Sequence, residues 1–315
     1  MGEMVDGAWR SDEDLAHAGE DGRFERPPTR FRGTIAEGGP HPPEVGRYHL
    51  YVSLACPWAH RALIVRRLKG LERIVGLSVT HWLMREDGWT FAHGPGVVPD
   101  PLGAQRLHEV YRRADPRYTG RVTVPVLWDK ETGEIVNNES SEIVRILGTA
   151  FDGVGALPLY LYPASRRAEL DAVNDRIYAT LNNGVYRAGF AATQAAYEAA
   201  VVPLFETLDW LDATLSRQPY LCGEQPTEAD WRLFTTLVRF DAVYHGHFKC
   251  NLRRIVDYPA LWDYARHLYQ WPGVRGTVDF DHIKGHYYGS HRAINPTGIV
   301  PLGPAVDWEN PAPPR

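Results

Sequence analysis

One cysteine stands between an apolar run and a predicted helix in the segment SLACPWAHRALIV, residues 53–65. A cysteine at the end of a strand and just before a helix faces unpaired backbone N–H groups and the positive end of the helix dipole. Both stabilise a thiolate relative to a thiol, and the thiolate is the reactive form. The position of Cys56 therefore favours a nucleophile.

The residues that follow Cys56 also indicate how a disulfide at this position would be resolved. Pro57 and Trp58 follow it, and no second cysteine lies three positions on. A mixed disulfide at Cys56 must then be cleaved by an external thiol. A small, buried and inert cysteine is the alternative that position alone leaves open. We interpret Cys222 and Cys250 in that second way, because neither has a catalytic context.

The elements that would hold Cys56 follow from the pattern of apolar residues. RYHLYVS (47–53) alternates like a strand, and Pro57 suits the first turn of a helix, where its missing N–H is not needed. The helical pattern ends at Gly70, and IVGLSVTHWL (74–83) is rich in strand-forming residues. This order predicts a parallel βαβ unit.

A long irregular segment, residues 84–121, separates that unit from a second group of elements. VTVPVLWDKETGEIVNN predicts two short strands joined by a turn, and ESSEIVRIL predicts a helix. Pro125 lacks an N–H, so we expect it at a strand entry or in a cis turn. The whole order, βαβ, insertion and ββα, is that of the thioredoxin fold.

The residues beyond a Gly- and Pro-rich boundary at 148–163 predict helices. Leu204, Leu208, Leu211 and Leu215 recur at helical spacing, and Thr227 with Asp230 forms a variant of the capping box. The apolar residues that follow Asp230 predict one broad buried face. We expect an arm at 1–45, a thioredoxin-like α/β domain at 46–150, an all-α domain at 164–294 and an extended tail at 295–315.

Composition restricts the class of protein. Hydrophobic residues make up 44% and charged residues 23% of the 315 residues, as in a globular protein. The net charge of −5 argues against a nucleic-acid partner. No apolar run is long enough to cross a membrane, and the start of the sequence lacks the pattern of a signal peptide. With so few cysteines, we expect a reducing compartment, the cytoplasm.

Six motifs together carry a resemblance to one family. They are SLACPWAHR, VPVLWD, NNESSEI, NNGVYRAGFA (182–191), RFDAVYHGHFKCN (239–251) and HIKGHYYGSHRAINPTGIVPLGP (282–304). In this order they resemble the glutathionyl-hydroquinone reductases, also called Xi-class glutathione transferases, from about residue 45 to 304. The resemblance implies a glutathione transferase fold, a homodimer, glutathione as cosubstrate and quinone or hydroquinone conjugates as substrates.

The family chemistry implies a role for Cys56 and for three tyrosines. The thiolate attacks the sulfur of a glutathionyl-hydroquinone, and the protein must stabilise the phenolate that develops, a role that suits tyrosine hydroxyls. By resemblance these are Tyr186, Tyr244 and Tyr287. Tyr288, the neighbour of Tyr287, remains an alternative.

The resemblance also implies the residues that bind glutathione. Pro125, if cis, would leave the main chain of Val124 free to pair with the peptide-like thiol. Glu139 and Ser140, at a helix start, would bind the γ-glutamyl amine and carboxylate. Trp89 and Arg121 match further contact positions. Arg117 is an alternative to Arg121, and ordinary helix capping is an alternative role for Ser140.

Other functions compete with this interpretation. His282 and His286 are one helical turn apart, with His291, His245 and His247 elsewhere, but they lack a carboxylate in a known zinc motif, so we expect no metal. A glutaredoxin-like thiol transferase or dehydroascorbate reductase would use the same cysteine. A ligand-binding protein without turnover would instead have an unreactive Cys56. The thiol cosubstrate could also be a low-molecular-weight thiol other than glutathione.

Overall fold

The structure is a computed structural model that describes residues 2–11, 19 and 21–315. Two compact units share the chain. The first comprises Met1–Leu15, Pro28–Leu159 and Thr277–Ile299, and the second comprises Ala16–Pro27, Tyr160–Gly276 and Val300–Arg315. Part of the predicted arm, residues 1, 12–18 and 20, lies outside the described residues. The domain bounds that we drew from the sequence stay a prediction.

The strands and helices are numbered along the chain. The strands are β1 (Gly2–Val5), β2 (Ala8–Ser11), β3 (Tyr48–Val52), β4 (Gly76–Val79), β5 (Gly120–Arg121), β6 (Val126–Asp129) and β7 (Glu134–Asn137). The helices are α1 (Pro57–Leu68), α2 (Leu107–Ala114), α3 (Ser140–Thr149), α4 (Arg167–Ile177), α5 (Gly184–Gly189), α6 (Gln194–Leu215), α7 (Glu228–Arg239), α8 (Pro259–Tyr269) and α9 (Phe280–Ser290).

A four-stranded mixed sheet forms the centre of the first unit, in the order β4-β3-β6-β7. β3 pairs parallel with β4 and antiparallel with β6, which in turn pairs antiparallel with β7. Every residue of β3 is buried. The order of elements confirms the predicted thioredoxin-like arrangement. α1 ends at Leu68, and Gly70, which we expected to close the helix, follows its C-cap Lys69 with a φ of 65° that suits glycine.

A second, three-stranded sheet in the first unit was not predicted. β1 and β2 form a hairpin, and β1 also pairs with β5. The hairpin turns at Asp6 and Gly7, whose φ values are 49° and 76°. An Asp-Gly pair between two short strands is a strong hairpin signal, so the dipeptide could have identified this element.

The second unit contains α4 to α8. The four leucines of α6 that were predicted to share a face are all buried. α7 differs from the prediction of one buried face, because nearly every side chain on it is buried, including Asp230 and Arg239. The predicted capping box at its start is present, and the Thr227 N–H donates to Asp230 Oδ2 at 2.7 Å.

Two short π-helical turns interrupt the helices of the second unit. They span Tyr178–Asn182, directly after α4, and Phe240–Tyr244, directly after α7. Turns of this kind occur frequently at functional sites. Within the part of the chain that the structure describes, no helix is both long and apolar enough to span a membrane.

Candidate active site

Cys56 occupies the N-cap position of α1, with Pro57 as the first helical residue. Its backbone has φ −79° and ψ 121°, the extended conformation usual for a cap. The side chain is partly exposed, and the thiol is not in a disulfide. Its Sγ lies 3.7 Å from the carbonyl oxygen of Val124. The predicted nucleophile therefore stands at the start of a helix, beside one of the predicted glutathione-binding residues.

The turn that leads from β3 into α1 holds the backbone of Cys56 on both sides. The Cys56 N–H donates to the Ser53 carbonyl at 3.1 Å, and the His60 N–H donates to the Cys56 carbonyl at 3.0 Å. The Ala55 N–H adds a bond to the Ser53 hydroxyl at 3.3 Å. Val124 precedes Pro125, and the peptide bond between them is cis, as one of the two predictions for this proline required.

Glu139, and not Ser140, is the N-cap of α3. Its Oε1 accepts from both the N–H and the hydroxyl of Ser141 at 3.1 Å, while the hydroxyl of Thr29 donates to Oε2 at 3.2 Å. Ser140 is the first helical residue and is buried. The two residues adjoin at a helix N-terminus, a position that suits anionic groups. Thr29 was missed by the sequence analysis, because a threonine in a Pro-rich segment carries no distinguishing pattern.

Trp89 and Arg121 lie in the first unit, on either side of α2. The indole of Trp89 is buried and stacks on the imidazole of His286, with ring centroids 4.8 Å apart. Arg121 belongs to β5, where it is paired with Glu3 of β1. The hydroxyl of Tyr118 donates to the carbonyl of Arg121 at 2.9 Å.

Tyr287 lies on α9, and its side chain is buried between two histidines. Its ring meets those of His286 and His291 at steep angles, with both centroid distances 5.3 Å. Tyr288 is half-buried. Either tyrosine could therefore still serve the role that we predicted for Tyr287.

The histidines of α9 contact main-chain oxygens. His282 Nε2 lies 2.7 Å from the Pro95 carbonyl, and His286 Nδ1 lies 2.9 Å from the Trp82 carbonyl. Among residues 2–11, 19 and 21–315, no group of three or more His, Cys, Asp or Glu could hold a metal ion.

Tyr186 and Tyr244 belong to an aromatic cluster in the second unit, with ring centroids 6.1 Å apart. Tyr244 is fully buried and stacks on Phe248, while Tyr186 is half-buried. Tyr244 is the last residue of the π-helical turn that follows α7. The structure thus brings these two predicted tyrosines together.

The segment before Pro28 adds two residues to this cluster that the sequence analysis missed. The guanidinium of Arg26 lies 4.8 Å from the ring centroid of Tyr186, and its Nε donates to the Asn183 side chain at 2.9 Å. Phe24 packs against Phe190 and Tyr186. The segment has no periodicity, so no sequence signal would have found them.

The other two cysteines are buried, as predicted. Burial raises the pKa of the Cys222 thiol to about 12 and raises that of Cys250 further. A raised pKa keeps both thiols protonated at neutral pH, and burial blocks their access to reagents. Both properties are those of structural cysteines.

Comparison with known proteins places the chain in a family. The models for the N-terminal and C-terminal domains of glutathione S-transferases match residues 55–150 and 194–267. The glutathionyl-hydroquinone reductase PcpF of Sphingobium chlorophenolicum is 57% identical over 307 residues, which cover 97% of each protein.

Solved structures agree with these matches. Glutathione-S-transferase Xi from Phanerochaete chrysosporium superposes with a TM-score of 0.89 at 55% identity, over 92% of this chain and 95% of that one. The glutathione-bound structure of YqjG, a glutathione transferase homolog from Escherichia coli K-12, gives 0.90 at 49% identity, over 99% and 98%. The predicted fold and family are confirmed. The chain belongs to the glutathione transferase family, as a member of its Xi class of glutathionyl-hydroquinone reductases.

Proposed function

We propose that this protein reduces glutathionyl-hydroquinones with glutathione, giving the free hydroquinone and glutathione disulfide. The observation that carries the proposal is the partly exposed thiol of Cys56 at the N-terminus of α1, in a chain whose relative PcpF is named a glutathionyl-hydroquinone reductase. A helix start stabilises the thiolate, which is the form that attacks sulfur.

In the first step the Cys56 thiolate attacks the glutathione sulfur of the conjugate. A Cys56–glutathione disulfide forms and the bond between sulfur and ring carbon breaks. The electron pair of that bond moves into the ring, which accepts it because the keto tautomer delocalises the charge onto a ring oxygen. A proton then completes the hydroquinone, and the ring regains its aromaticity.

In the second step a glutathione thiolate attacks the mixed disulfide. Glutathione disulfide leaves, and Cys56 returns as a thiolate. The ring carbon has gained two electrons, which come from the oxidation of the two glutathione sulfurs, that of the conjugate and that of the added thiol, to the disulfide. Because an external thiol resolves the disulfide, the cycle needs no second cysteine of the protein.

The tyrosines stabilise the charge that develops on the ring oxygen. We assign this role to Tyr186, Tyr244 and Tyr287, with Tyr288 as the alternative to the last. A hydroxyl aimed at a developing phenolate lowers the barrier, because its interaction strengthens in the transition state. The adjoining position of Tyr186 and Tyr244 in one aromatic cluster supports the assignment.

The glutathione-binding residues belong to the first unit. The Val124 main chain, 3.7 Å from the Cys56 thiol, pairs with the cysteinyl part of glutathione. Glu139 and Ser140 bind the γ-glutamyl amine and carboxylate at the start of α3, and Trp89 and Arg121 make further contacts. Glutathione is the cosubstrate in this proposal.

The test uses a glutathionyl-hydroquinone as substrate with glutathione in excess. We expect hydroquinone and glutathione disulfide in equal amounts, and a glutathione adduct on Cys56 when the second glutathione is withheld. Cys56→Ser should abolish turnover, while Cys222→Ser should leave it unchanged. Full activity of Cys56→Ser, or reduction of dehydroascorbate but not of the conjugate, would contradict the proposal.

The oligomeric state and the cellular location are two further parts of the proposal. We propose a homodimer, which light scattering of the purified protein would check. We also propose a cytoplasmic location, since the protein carries three free cysteines and its cycle needs a pool of reduced thiol.

A further inference from the structure

We propose that the N-terminal hairpin, formed by β1 and β2, positions the glutathione-binding part of the first unit, with Trp9 as the positioning residue. The inference rests on the proposed function, because it takes Trp89 and Arg121 as glutathione-binding residues. The hairpin precedes the region that the family models match, which begins at residue 55.

Trp9 joins two segments that are separate in the sequence. Its indole N–H donates to the Glu86 carbonyl at 2.8 Å. Its ring stacks on the imidazole of His108, with centroids 4.8 Å apart and planes 12° apart. Glu86 precedes Trp89 by three residues, and His108 lies in the first turn of α2. One side chain therefore connects the Trp89 segment to the start of α2.

The same two segments are paired through their backbones. The Leu107 N–H donates to the Trp89 carbonyl, and the Phe91 N–H donates to the Gln105 carbonyl, both at 2.8 Å. Arg106 Nε adds a bond to Asp87 at 2.7 Å. These bonds flank a single antiparallel β-bridge between Thr90 and Arg106. Trp9 contacts the same two segments beside this bridge, at Glu86 and His108.

Gly88 lets the ring of Trp9 approach the backbone next to Trp89. Its φ is 66°, and a Cβ there would lie 2.9 Å from two carbon atoms of the Trp9 ring. The indole therefore packs directly on the main chain of the residue that precedes Trp89. A movement of the Trp9 ring would therefore shift the main chain at Gly88.

The other strand of the hairpin fixes the backbone that leads to Arg121. β1 pairs Glu3 with Arg121. At the turn, the Asp6 N–H donates to the Thr119 hydroxyl at 2.9 Å and the Gly7 N–H donates to the Tyr118 carbonyl at 3.0 Å. The hairpin therefore contacts the segments of both Trp89 and Arg121, while the backbone of Cys56 is held by Ser53 and His60.

The expected effect is on the affinity for glutathione and not on the chemistry at sulfur. Without the Trp9 ring, the segment 86–91 loses a hydrogen bond and a stacked partner, so Trp89 spends less time in its binding position. A binding site that is populated for a fraction of the time has its affinity reduced by that fraction. The attack of Cys56 on bound conjugate should proceed as before.

The experiment measures the dissociation constant of glutathione by calorimetry in a Cys56→Ser background, where no disulfide forms. We expect Trp9→Ala to raise it about 10-fold, which is about 1.4 kcal/mol. Trp9→Phe keeps the stack on His108 but loses the bond to Glu86, so we expect a smaller rise in the dissociation constant, about 3-fold. Trp210→Ala removes a half-buried tryptophan of α6 and should change nothing.

A second measurement separates positioning from general stability. With Cys56 present, Trp9→Ala should raise the KM for glutathione, while the single-turnover rate with saturating conjugate stays within about 2-fold of the original. A lowered melting temperature with an unchanged dissociation constant would show that Trp9 is only structural and would overturn the inference. An equal rise in Trp210→Ala would overturn it as well.

The two proposals fail in different ways. If Trp9→Ala weakens glutathione binding in a protein that leaves glutathionyl-hydroquinones intact, the positioning role stands and the proposed function falls. If the protein reduces the conjugate and Trp9→Ala binds glutathione normally, the proposed function stands and the positioning role falls. A protein that binds no glutathione at all contradicts both.

Discussion

Trp89 and His286 lie face to face, with ring centroids 4.8 Å apart and planes 24° apart, although they are 197 positions apart in the sequence. His286 also contacts the Trp82 carbonyl, and Gly285 leaves room for the Trp82 ring, since a Cβ there would lie 2.9 Å from it. α9 is therefore anchored on the segment that carries Trp89. The next residue, Tyr287, is a proposed hydroquinone-binding residue, so one helix supports both proposed parts of the site.

The three cysteines should differ sharply in reactivity. Iodoacetamide at about pH 7.5 should modify Cys56 in the folded protein and leave Cys222 and Cys250 intact. Burial raises the pKa of Cys222 to about 12 and that of Cys250 further, so both stay protonated and inaccessible throughout the neutral range. Peptide mapping by mass spectrometry gives the order of modification, and urea should make all three react. Comparable rates in the folded protein would contradict the assignment.

Removing a phenolic hydroxyl should slow the chemical step. We expect Tyr186→Phe and Tyr244→Phe each to lower kcat at least ~10-fold, because one donor to the developing phenolate is lost. Glutathione affinity should not change. Tyr160→Phe, at a site 73% exposed, is the matched control. Comparison of Tyr287→Phe with Tyr288→Phe decides between the neighbours, and we expect the loss in Tyr287→Phe.

Glu139→Gln should weaken glutathione binding without unfolding α3. The amide oxygen of glutamine can still accept from Ser141, so the cap survives, but the negative charge that would pair with the γ-glutamyl amine is gone. We expect the dissociation constant to rise about 10-fold or more. The melting temperature should stay close to the original. Glu198→Gln, on the exposed surface of α6, is the control, and an equal affinity in both variants would exclude Glu139 from the site.

Asp129 should make stability depend on pH in the acid range. Its burial opposes ionisation, but hydrogen bonds from Arg47 and His41 outweigh this and lower the pKa to about 2. Because the folded pKa lies below the unfolded value of about 4, the stabilisation is present at neutral pH and is lost as the pH falls from about 5 towards 2. Urea titrations at several pH values should show this decline.

The variant Asp129→Asn removes that dependence. It removes the nearest carboxylate partner of Arg47, whose other two partners, Glu44 and Glu131, are exposed. We expect a loss of at least ~2 kcal/mol in the free energy of unfolding at pH 7 and a smaller difference near pH 3. Asp209→Asn breaks an exposed ion pair with Arg253 and should cost less than about 1 kcal/mol. Equal losses in the two variants would show that the Asp129 network contributes no more than a surface pair.

Local patterns predicted much of the first unit. The alternation of β3, the proline at the start of α1 and the glycine after it act within a few residues, so the βαβ unit could be placed without tertiary information. Cys56 was predicted as the nucleophile on the same grounds, because the effect of a helix start on a thiol is local. α7 was misjudged as having one buried face, since its surroundings and not its own sequence decide that nearly all of it is buried.

The roles proposed for Trp89, Glu139 and the tyrosines came from the family resemblance, and no pattern within the sequence would have assigned them. The sequence by itself predicted the nucleophile and determined the order of the elements around the central sheet and the family, because these depend on neighbouring residues and on motifs that can be compared directly. Only the tertiary structure decided that Trp9 connects the Trp89 segment to α2, that His286 stacks on the Trp89 ring and that Arg26 covers Tyr186. Such contacts join residues far apart in the chain, and their energies depend on distances and orientations that folding alone sets.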